Sequence, residues 1–469
     1  MFSSSYKSVE WYGELIRQQI TPEGTLTAQN WSAMRLLDCA TTVWTASTSY
    51  VLGSAFRQGN RCYTVNNAYV SGATFNAAGI EDANTSVVNA DETATTRQPV
   101  VPLTSRTIYT KGSTGLISFE WSNLSGTQKS YFTAPAITYS SATVGLSQFC
   151  SPAGGACLSN TLQTNNTIAS GGAAGEALVN FLRGDRSHEG SYYRQRTHVL
   201  GDIVSSEARY VQTPLYNYLD TNYSAYKTDK TTRAGAVYVG ANDGMLHAFD
   251  AITGQELWAY IPSMVLPNLY KLADKNYPTD STKHQFYVDN SPETGDICPT
   301  APTTACTAAQ WKTILVGGLN RGGKGYYALD ITNPSSPALL WEFPDQNLGY
   351  TYGNPTITKL KDGTWVVLVS AGYNNVDGTS TADVGKGRLY ILNAATGEVI
   401  RSISTGIGSA TTPSGLSRIS AHVLQSSTDN TAIAAYGGDN LGNVWRFDIN
   451  NDIGATGYDA QLLVSLTDS

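Results

Sequence analysis

One stretch decides the fold: AVYVGANDGMLHAFDAITGQELWAY, at residues 236–260. Its aromatic, β-branched and small residues predict two strands around Asn242-Asp243-Gly244, a tight turn of the kind that favours hairpins. Thr253-Gly254 predicts a second turn, and the residues around Trp258 predict a third strand. The stretch therefore indicates a hairpin followed by one more antiparallel strand.

A similar sequence pattern recurs further along the chain, which indicates an internal repeat. The later copies are GRLYILNAATGEVI at 387–400, YGGDNLGNVWRFD at 436–448 and a looser one within 313–343. Short strands with turn residues at fixed offsets are typical of a β-propeller, whose blades must stack on their neighbours. A β-sandwich with chance similarity is the alternative. The shared strand–turn–strand–[Asp/Asn]-x-x-Thr-Gly wording favours the all-β propeller.

Composition excludes two classes of protein. Only 14% of the 469 residues are charged, whereas soluble domains usually carry about 25%. Thirty Lys and Arg against 37 Asp and Glu give a net charge of −7, with no visible basic patch, so we expect no nucleic-acid partner. No apolar run approaches the roughly 20 residues of a transmembrane segment.

Met1 leads directly into polar sequence, so we expect the signal peptide to lie outside this chain.

The six cysteines are even in number and indicate an oxidising compartment. Zinc sites prefer tighter spacing and nearby histidines, so the spacing favours local disulfides, with free thiols as the alternative. The predicted pairs are Cys150–Cys157, Cys298–Cys306 and Cys39–Cys62.

Several longer phrases are more specific than the repeat. They are ALVNFLRGDRS at 177–187, LGDIV at 200–204, GGLNRGGKGYYALD at 317–330, YGNP at 352–355 and GDNLGNVWRFD at 438–448. Together with residues 237–250 they resemble the C-terminal propeller of the PilC/PilY family, the tip-associated adhesins and assembly factors of type IV pili. The resemblance covers most of residues 105–450.

The resemblance implies a modified β-propeller of the seven-bladed type, incomplete in this chain. It places the propeller in residues 1–37 and 105–469, with 38–104 as a small insertion of strands and loops. It implies export through the periplasm to the pilus tip at the cell surface, and a role in pilus extension and attachment. The implied partners are minor pilins and a receptor on a host or abiotic surface.

The family also implies a calcium loop, in which alternating side-chain oxygens converge on one hard cation. Counting back from Gly438-Asp439, its ligand positions fall on Gln425, Ser427, Asp429 and Ile433. Asp429 alone keeps a carboxylate, with Gln425 and Ser427 as neutral donors, so calcium is disfavoured and no cofactor is expected. The acidic stretch 377–383 is a second candidate for a cation, against a solvated hairpin loop.

Two further motifs have competing interpretations. Arg183-Gly184-Asp185 matches an integrin ligand, but the wider phrase favours a structural role in which Arg183 and Asp185 tie a predicted helix to its neighbours. Exposed aromatics within residues 44–63 could bind glycans, but a loop held by a disulfide is the favoured interpretation.

Enzymatic motifs are missing from the sequence. It contains no HExxH helix and no GxSxG elbow, and we expect His247 to be a packed blade residue. Asp289, Glu293 and Asp296 could do acid–base chemistry, although a turn capping strands is the commoner explanation. The alternative function is a quinoprotein-like dehydrogenase using pyrroloquinoline quinone, because such enzymes share the phrase seen at 250–258. That sequence motif is related to how the blades pack on one another, and it does not indicate which cofactor binds.

Overall fold

The computed structural model describes residues 1–8, 10–50, 55–58, 61–76, 85–87, 106–133, 137–139, 145–150, 175–378, 383–454 and 459–466. The strands among these residues are β1 (Phe2–Lys7), β2 (Tyr12–Ile20), β3 (Leu26–Ser32), β4 (Ser49–Tyr50), β5 (Ala55–Gln58), β6 (Arg61–Val65), β7 (Tyr69–Val70), β8 (Thr85–Val87), β9 (Ile108–Lys111), β10 (Leu116–Ser118), β11 (Thr138–Tyr139), β12 (Leu146–Cys150), β13 (Arg209–Val211), β14 (Ala236–Ala241), β15 (Met245–Asp250), β16 (Glu256–Ile261), β17 (Glu293–Ile297), β18 (Lys312–Gly317), β19 (Tyr326–Asp330), β20 (Ala338–Phe343), β21 (Thr356–Lys359), β22 (Trp365–Ser370), β23 (Arg388–Asn393), β24 (Val399–Ser404), β25 (Leu416–Val423), β26 (Ala432–Asp439), β27 (Asn443–Phe447) and β28 (Ala460–Ser465).

Within the ranges given above, helices are few and short. They are α1 (Ala33–Thr41), α2 (Gly126–Ser130), α3 (Glu176–Arg183), α4 (Tyr223–Asp229) and α5 (Leu266–Leu269), with single 3₁₀ turns at Trp121–Asn123, Ser263–Val265, Tyr270–Ala273 and Ala308–Gln310. The predicted all-β class is confirmed. In the described part of the chain, no helix has the length and apolar character needed to cross a membrane.

The chain divides into two compact units. Unit 1 comprises Met1–Val204 and Ala241–Gln285, and unit 2 comprises Ser205–Gly240 and Phe286–Ser469. Unit 1 holds the sheets β1-β2-β3, β4-β7, β5-β6-β8, β11-β12 and β10-β9-β16-β15. Unit 2 holds the β13–β14 pair and three four-stranded antiparallel sheets, β17 to β20, β21 to β24 and β25 to β28. Three sequential four-stranded sheets of this kind are typical propeller blades.

The middle sheet of unit 2 is covered on both faces, and β22 shows why. Every residue of this strand is buried. Val367 and Val369 belong to a core shared with the β17–β20 sheet, whereas Val366 and Leu368 belong to another core shared with the β25–β28 sheet. Because successive strand residues point to opposite faces, an unbroken apolar run suits a strand packed between two neighbouring sheets. Each such side chain contributes about 1.5–3 kcal/mol by burial.

The first copy of the repeated Thr-Gly turn lies under a tryptophan. Asp250 Oδ1 accepts hydrogen bonds from the amides of Ile252 and Thr253 at 3.0 and 2.7 Å, which forms the turn. The Trp31 indole donates to the carbonyl oxygen of Ala251 at 3.3 Å. A Cβ on Gly254, whose φ is +73°, would lie 2.5 Å from that indole ring. Glycine is therefore required there for both conformation and space.

The second copy repeats this arrangement in unit 2. Asn393 Oδ1 accepts the amides of Ala395 and Thr396, and the Trp341 indole donates to the carbonyl oxygen of Ala394 at 3.0 Å. Gly397 again has a φ of +73°, and its Cβ would lie 2.6 Å from the indole. The repeated phrase thus specifies a turn that docks on a tryptophan from another strand.

The described part of residues 38–104 has its own small core. Tyr50, Phe56, Tyr63 and Val65 are buried together, with Trp44, Tyr69 and Phe75 packed against them. The aromatic side chains of this region therefore pack on one another. Helix α1 runs through the expected boundary at residues 37 and 38, so the small core begins from a helix shared with the preceding residues.

Candidate functional site

The loop at residues 425–431, which joins β25 to β26 in unit 2, contains three of the four expected calcium positions, and the fourth, Ile433, lies on β26. Its turn is closed by the carbonyl oxygen of Gln425, which accepts the amides of Thr428, Asp429 and Asn430 at 3.1, 2.8 and 3.1 Å. Asn430 has a φ of +57°, a conformation that asparagine tolerates better than most residues. The loop is therefore held by its own backbone.

Neighbouring segments of unit 2 also bind this loop. Three backbone hydrogen bonds join them: Asn217 N to Ser427 O (2.8 Å), Leu219 N to Thr428 O (2.8 Å) and Lys359 N to Asn430 O (3.0 Å). The Thr358 hydroxyl also donates to the carbonyl oxygen of Asn430, at 2.7 Å. The loop is thus fixed between residues 217–219, which precede α4, and the end of β21.

A lysine ammonium lies against the only carboxylate among the expected calcium positions. Lys359 Nζ is 3.0 Å from Asp429 Oδ1 and 2.7 Å from Asp220 Oδ1, and its side chain is only 9% exposed. The Trp365 ring lies 5.5 Å from the same nitrogen. Burial alone would raise the pKa of Asp429, but hydrogen bonds from Lys359 and Thr431 outweigh it and hold that pKa below its ordinary value.

The residues present do not fit a calcium ion. The Ile433 side chain has no oxygen atom, its backbone carbonyl accepts the Asn450 side-chain amide at 3.1 Å, and the Gln425 side-chain oxygen accepts the Thr428 hydroxyl at 3.3 Å. Asp429 Oδ1 already accepts Lys359 Nζ and the Thr431 hydroxyl, the latter at 2.8 Å. Calcium prefers six to eight oxygen ligands, and the adjacent ammonium would repel it. For the second acidic candidate, residues 379–382 lie outside the described residues, while Asp377 and Asp383 pair with Lys324 and Arg388.

The tripeptide Arg183-Gly184-Asp185 ends helix α3 in unit 1. Arg183 is buried, and its guanidinium donates to the carbonyl oxygens of Phe119 at 2.9 Å and Arg106 at 3.4 Å. Gly184 caps the helix with a φ of +115°. Asp185 Oδ1 accepts the amide of Ser187 at 2.8 Å. This geometry favours the structural interpretation of the motif.

Two of the three expected disulfides are confirmed. Cys39 and Cys62 are bonded with their Cα atoms 5.5 Å apart, and Cys298 and Cys306 with theirs 5.9 Å apart. Both separations lie within the usual range for disulfides. The third predicted pair, Cys150–Cys157, includes a residue outside the described part of the chain.

The acidic cluster of residues 289–296 is divided among separate partners. Asp289 accepts the amide of Ser205 at 3.0 Å, and Glu293 pairs with Arg209 at 2.8 Å. Asp296 accepts the hydroxyls of Tyr223 and Thr313 at 2.7 and 2.6 Å, and burial raises its pKa. These carboxylates hold the fold together and do not converge on one reacting position.

A polar cavity of about 300 Å³ lies beside the loop, within unit 2. One wall carries Tyr216 and Tyr218, whose rings stack 4.8 Å apart with an angle of 8° between their planes. Arg418 also lines the cavity. Among the described arginines of unit 2, it is the one whose side chain makes no hydrogen bond, ion pair or ring contact. An aromatic face beside an uncommitted cation can bind polar or anionic ligands. Sequence reasoning missed this cavity because its lining comes from distant segments.

A buried charge cluster in unit 1 surrounds His247, which is fully buried as expected. Its Nδ1 lies 2.7 Å from Glu256 Oε1, and its Nε2 lies 3.1 Å from Asp243 Oδ2. Arg106 pairs with both oxygens of Glu256. Burial alone would lower the pKa of His247, but the two carboxylates raise it to about 9. Burial would raise the pKa of Glu256, but Arg106 and His247 lower it to about 2.

Comparison with known proteins adds the decisive observation. The family model described as the PilY1 beta-propeller domain matches residues 200–459, more than half of the chain. The chain belongs to the PilY1 β-propeller family. The match covers the β17–β20 and β21–β24 sheets, strands β25 to β27 of the third four-stranded sheet, and all four copies of the repeated phrase.

Named relatives agree with this membership. The type IV pilus biogenesis factor PilY1 of Pseudomonas aeruginosa strain PAK is 40% identical over 286 residues, which are 59% of this chain and 23% of the relative. A PilY1 homolog of Xylella fastidiosa strain Temecula1 is 39% identical over 293 residues, which are 60% of this chain and 22% of the relative. This chain therefore spans less than a quarter of the length of these curated relatives.

A solved structure is also similar. The crystal structure of the P. aeruginosa PilY1 C-terminal domain is 36% identical, with a TM-score of 0.40, over 51% of this chain and 45% of that one.

Proposed function

We propose that this protein is a type IV pilus biogenesis factor and tip adhesin whose propeller acts by binding. The observation that carries the proposal is the PilY1 β-propeller match across residues 200–459. The proposed partners are minor pilins at the pilus tip and a receptor on a host or abiotic surface. The proposed location is the pilus tip at the cell surface, reached through the periplasm, and the two disulfides suit that oxidising route.

The proposal includes a domain organisation. Residues 1–37 and 105–469 form the propeller, and residues 38–104 are an insertion. The separate aromatic core around Phe56 supports an insertion with its own packing. Its disulfide partner Cys39 lies on helix α1, which anchors the insertion to the preceding residues.

A non-catalytic role is supported by how the candidate acid–base groups are used. His247 and Glu256 neutralise one another in a buried cluster, and Asp296 is bonded to two hydroxyl groups. Catalytic groups need access to substrate, which these lack. A quinoprotein dehydrogenase remains the competing function, and an absorbance spectrum of the purified protein separates the two. A bound quinone chromophore would contradict the binding role.

The cavity beside Tyr216 is the proposed contact for a polar surface receptor. The uncommitted guanidinium of Arg418 offers hydrogen bonds to a ligand carboxylate or hydroxyl. Replacing Arg418 by Gln should therefore reduce attachment while leaving the number of pili unchanged. Arg446→Gln is the control, because Arg446 lies on β27 and bonds Gln461 outside this cavity. Equal attachment by both variants would exclude the cavity as the contact.

The biogenesis role is tested by deleting the gene and restoring it. We expect deletion to reduce both surface pili and attachment. Restoration with Asp429→Ala should rescue both, because Lys359 keeps its ion pair with Asp220 at 2.7 Å. Normal piliation and attachment in the deletion strain, with no paralogue present, would defeat the assignment.

A further inference from the structure

The ammonium of Lys359 joins three separate segments of unit 2. It extends from the end of β21 and contacts Asp220, before α4, and Asp429, in the loop at residues 425–431. The two carboxylates lie within 3.0 Å of the same nitrogen. One positive charge thus faces two negative charges at a point where the side chain is almost buried.

We propose that Lys359 is a built-in cation that fixes this loop in place of a divalent metal ion. A metal ion in such a loop draws oxygen ligands from neighbouring segments onto one positive centre. The ammonium likewise gathers oxygen atoms from neighbouring segments around one positive charge. It has three N–H donors, and two of its partners are the carboxylates of Asp220 and Asp429. Unlike a metal ion, it is covalently attached and always present.

Two further contacts hold Lys359 in place. The Trp365 ring contributes a cation–π contact, and the backbone amide of Lys359 also donates to Asn430 O in the loop. Lys359 thus holds the loop through both its main chain and its side chain. The position of the loop is therefore independent of calcium, and whatever binds this face meets one fixed geometry. This inference concerns the loop alone and does not depend on the proposed role in pili.

Hydrogen exchange of the purified chain tests the proposal without requiring any ligand. The amides of Asn217 and Leu219 are the probes, because both donate to carbonyl oxygens of the loop. In the wild-type protein, their exchange should be the same in 1 mM calcium chloride as in excess EGTA. Slower exchange in calcium would overturn the proposal, and this measurement needs no variant.

Replacing the lysine gives the complementary test. Lys359→Met keeps the length of the side chain but removes the charge, which leaves Asp220 and Asp429 facing each other. Exchange at both probes should then accelerate about tenfold, the change expected when about 1.4 kcal/mol is lost. Lys361→Met is the matched control, since Lys361 makes a more exposed ion pair with Asp452 and should leave the probes unchanged. Unaltered exchange in Lys359→Met would refute the proposal.

Discussion

Replacing His247 should change how the stability of unit 1 depends on pH. The imidazole is fully buried and lies between Glu256, at 2.7 Å, and Asp243, at 3.1 Å. In its protonated form it neutralises part of that negative charge. His247→Gln retains a polar side chain but carries no charge at any pH.

The magnitude follows from the shift in pKa. Burial alone would lower the pKa of His247, yet Asp243 and Glu256 raise it from 6.5 to about 9. Because the folded value exceeds the unfolded one, the stabilisation is complete below pH 6.5 and is lost as the pH rises through 9. At 1.36 kcal/mol for each pKa unit, His247 contributes about 3 kcal/mol to the free energy of unfolding.

Urea unfolding at several pH values, followed by tryptophan fluorescence, measures this contribution. The free energy of unfolding of the wild-type protein should fall by about 3 kcal/mol between pH 6.5 and 9.5, relative to His247→Gln. His422→Gln is the control, because His422 is exposed on β25 and should leave the wild-type profile intact. Parallel profiles for the wild type and His247→Gln across this range would refute the reasoning.

Two further changes test the packing of the fold. Gly397→Ala should cost about 3 kcal/mol, since it adds left-handed strain to an overlap with Trp341, whereas Gly24→Ala, with a φ of +82° and open space, should cost only about 1 kcal/mol. Thermal unfolding compares them, and equal losses would contradict the docking of the turn on the tryptophan. Replacing Cys39 and Cys62 by serine should destabilise the aromatic core by about 3 kcal/mol. Chymotrypsin should then cleave near Phe56 faster than in wild type, and an unchanged rate would count against the disulfide's role.

The blades could be predicted from sequence because their signals are local. The expected strand at 245–250 corresponds to β15 (Met245–Asp250), and the turn at Thr253-Gly254 forms as expected. Helix α3 also forms beside Arg183-Gly184-Asp185, where a helix is predicted. In each case the pattern and the turn chemistry agree within a few residues.

Long-range partners could not be predicted. Lys359 lies 139 residues from Asp220, and Arg106 lies 150 residues from Glu256. The loss of carboxylates from the calcium loop is visible in the sequence, but the lysine that lies there comes from another strand. Trp31 likewise reaches the turn at Gly254 from far upstream, so the repeated phrase alone reveals only half of the contact.

The central claim is that the protein acts in pilus biogenesis and that this role needs no calcium in the loop at residues 425–431. The amount of pilin sheared from the cell surface tests this claim most directly. The deletion strain should yield much less surface pilin than its parent, with intracellular pilin unchanged. Restoring the wild-type gene or Asp429→Ala should return the same amount of surface pilin. Parental amounts in the deletion strain, or failure of Asp429→Ala alone, would contradict the account.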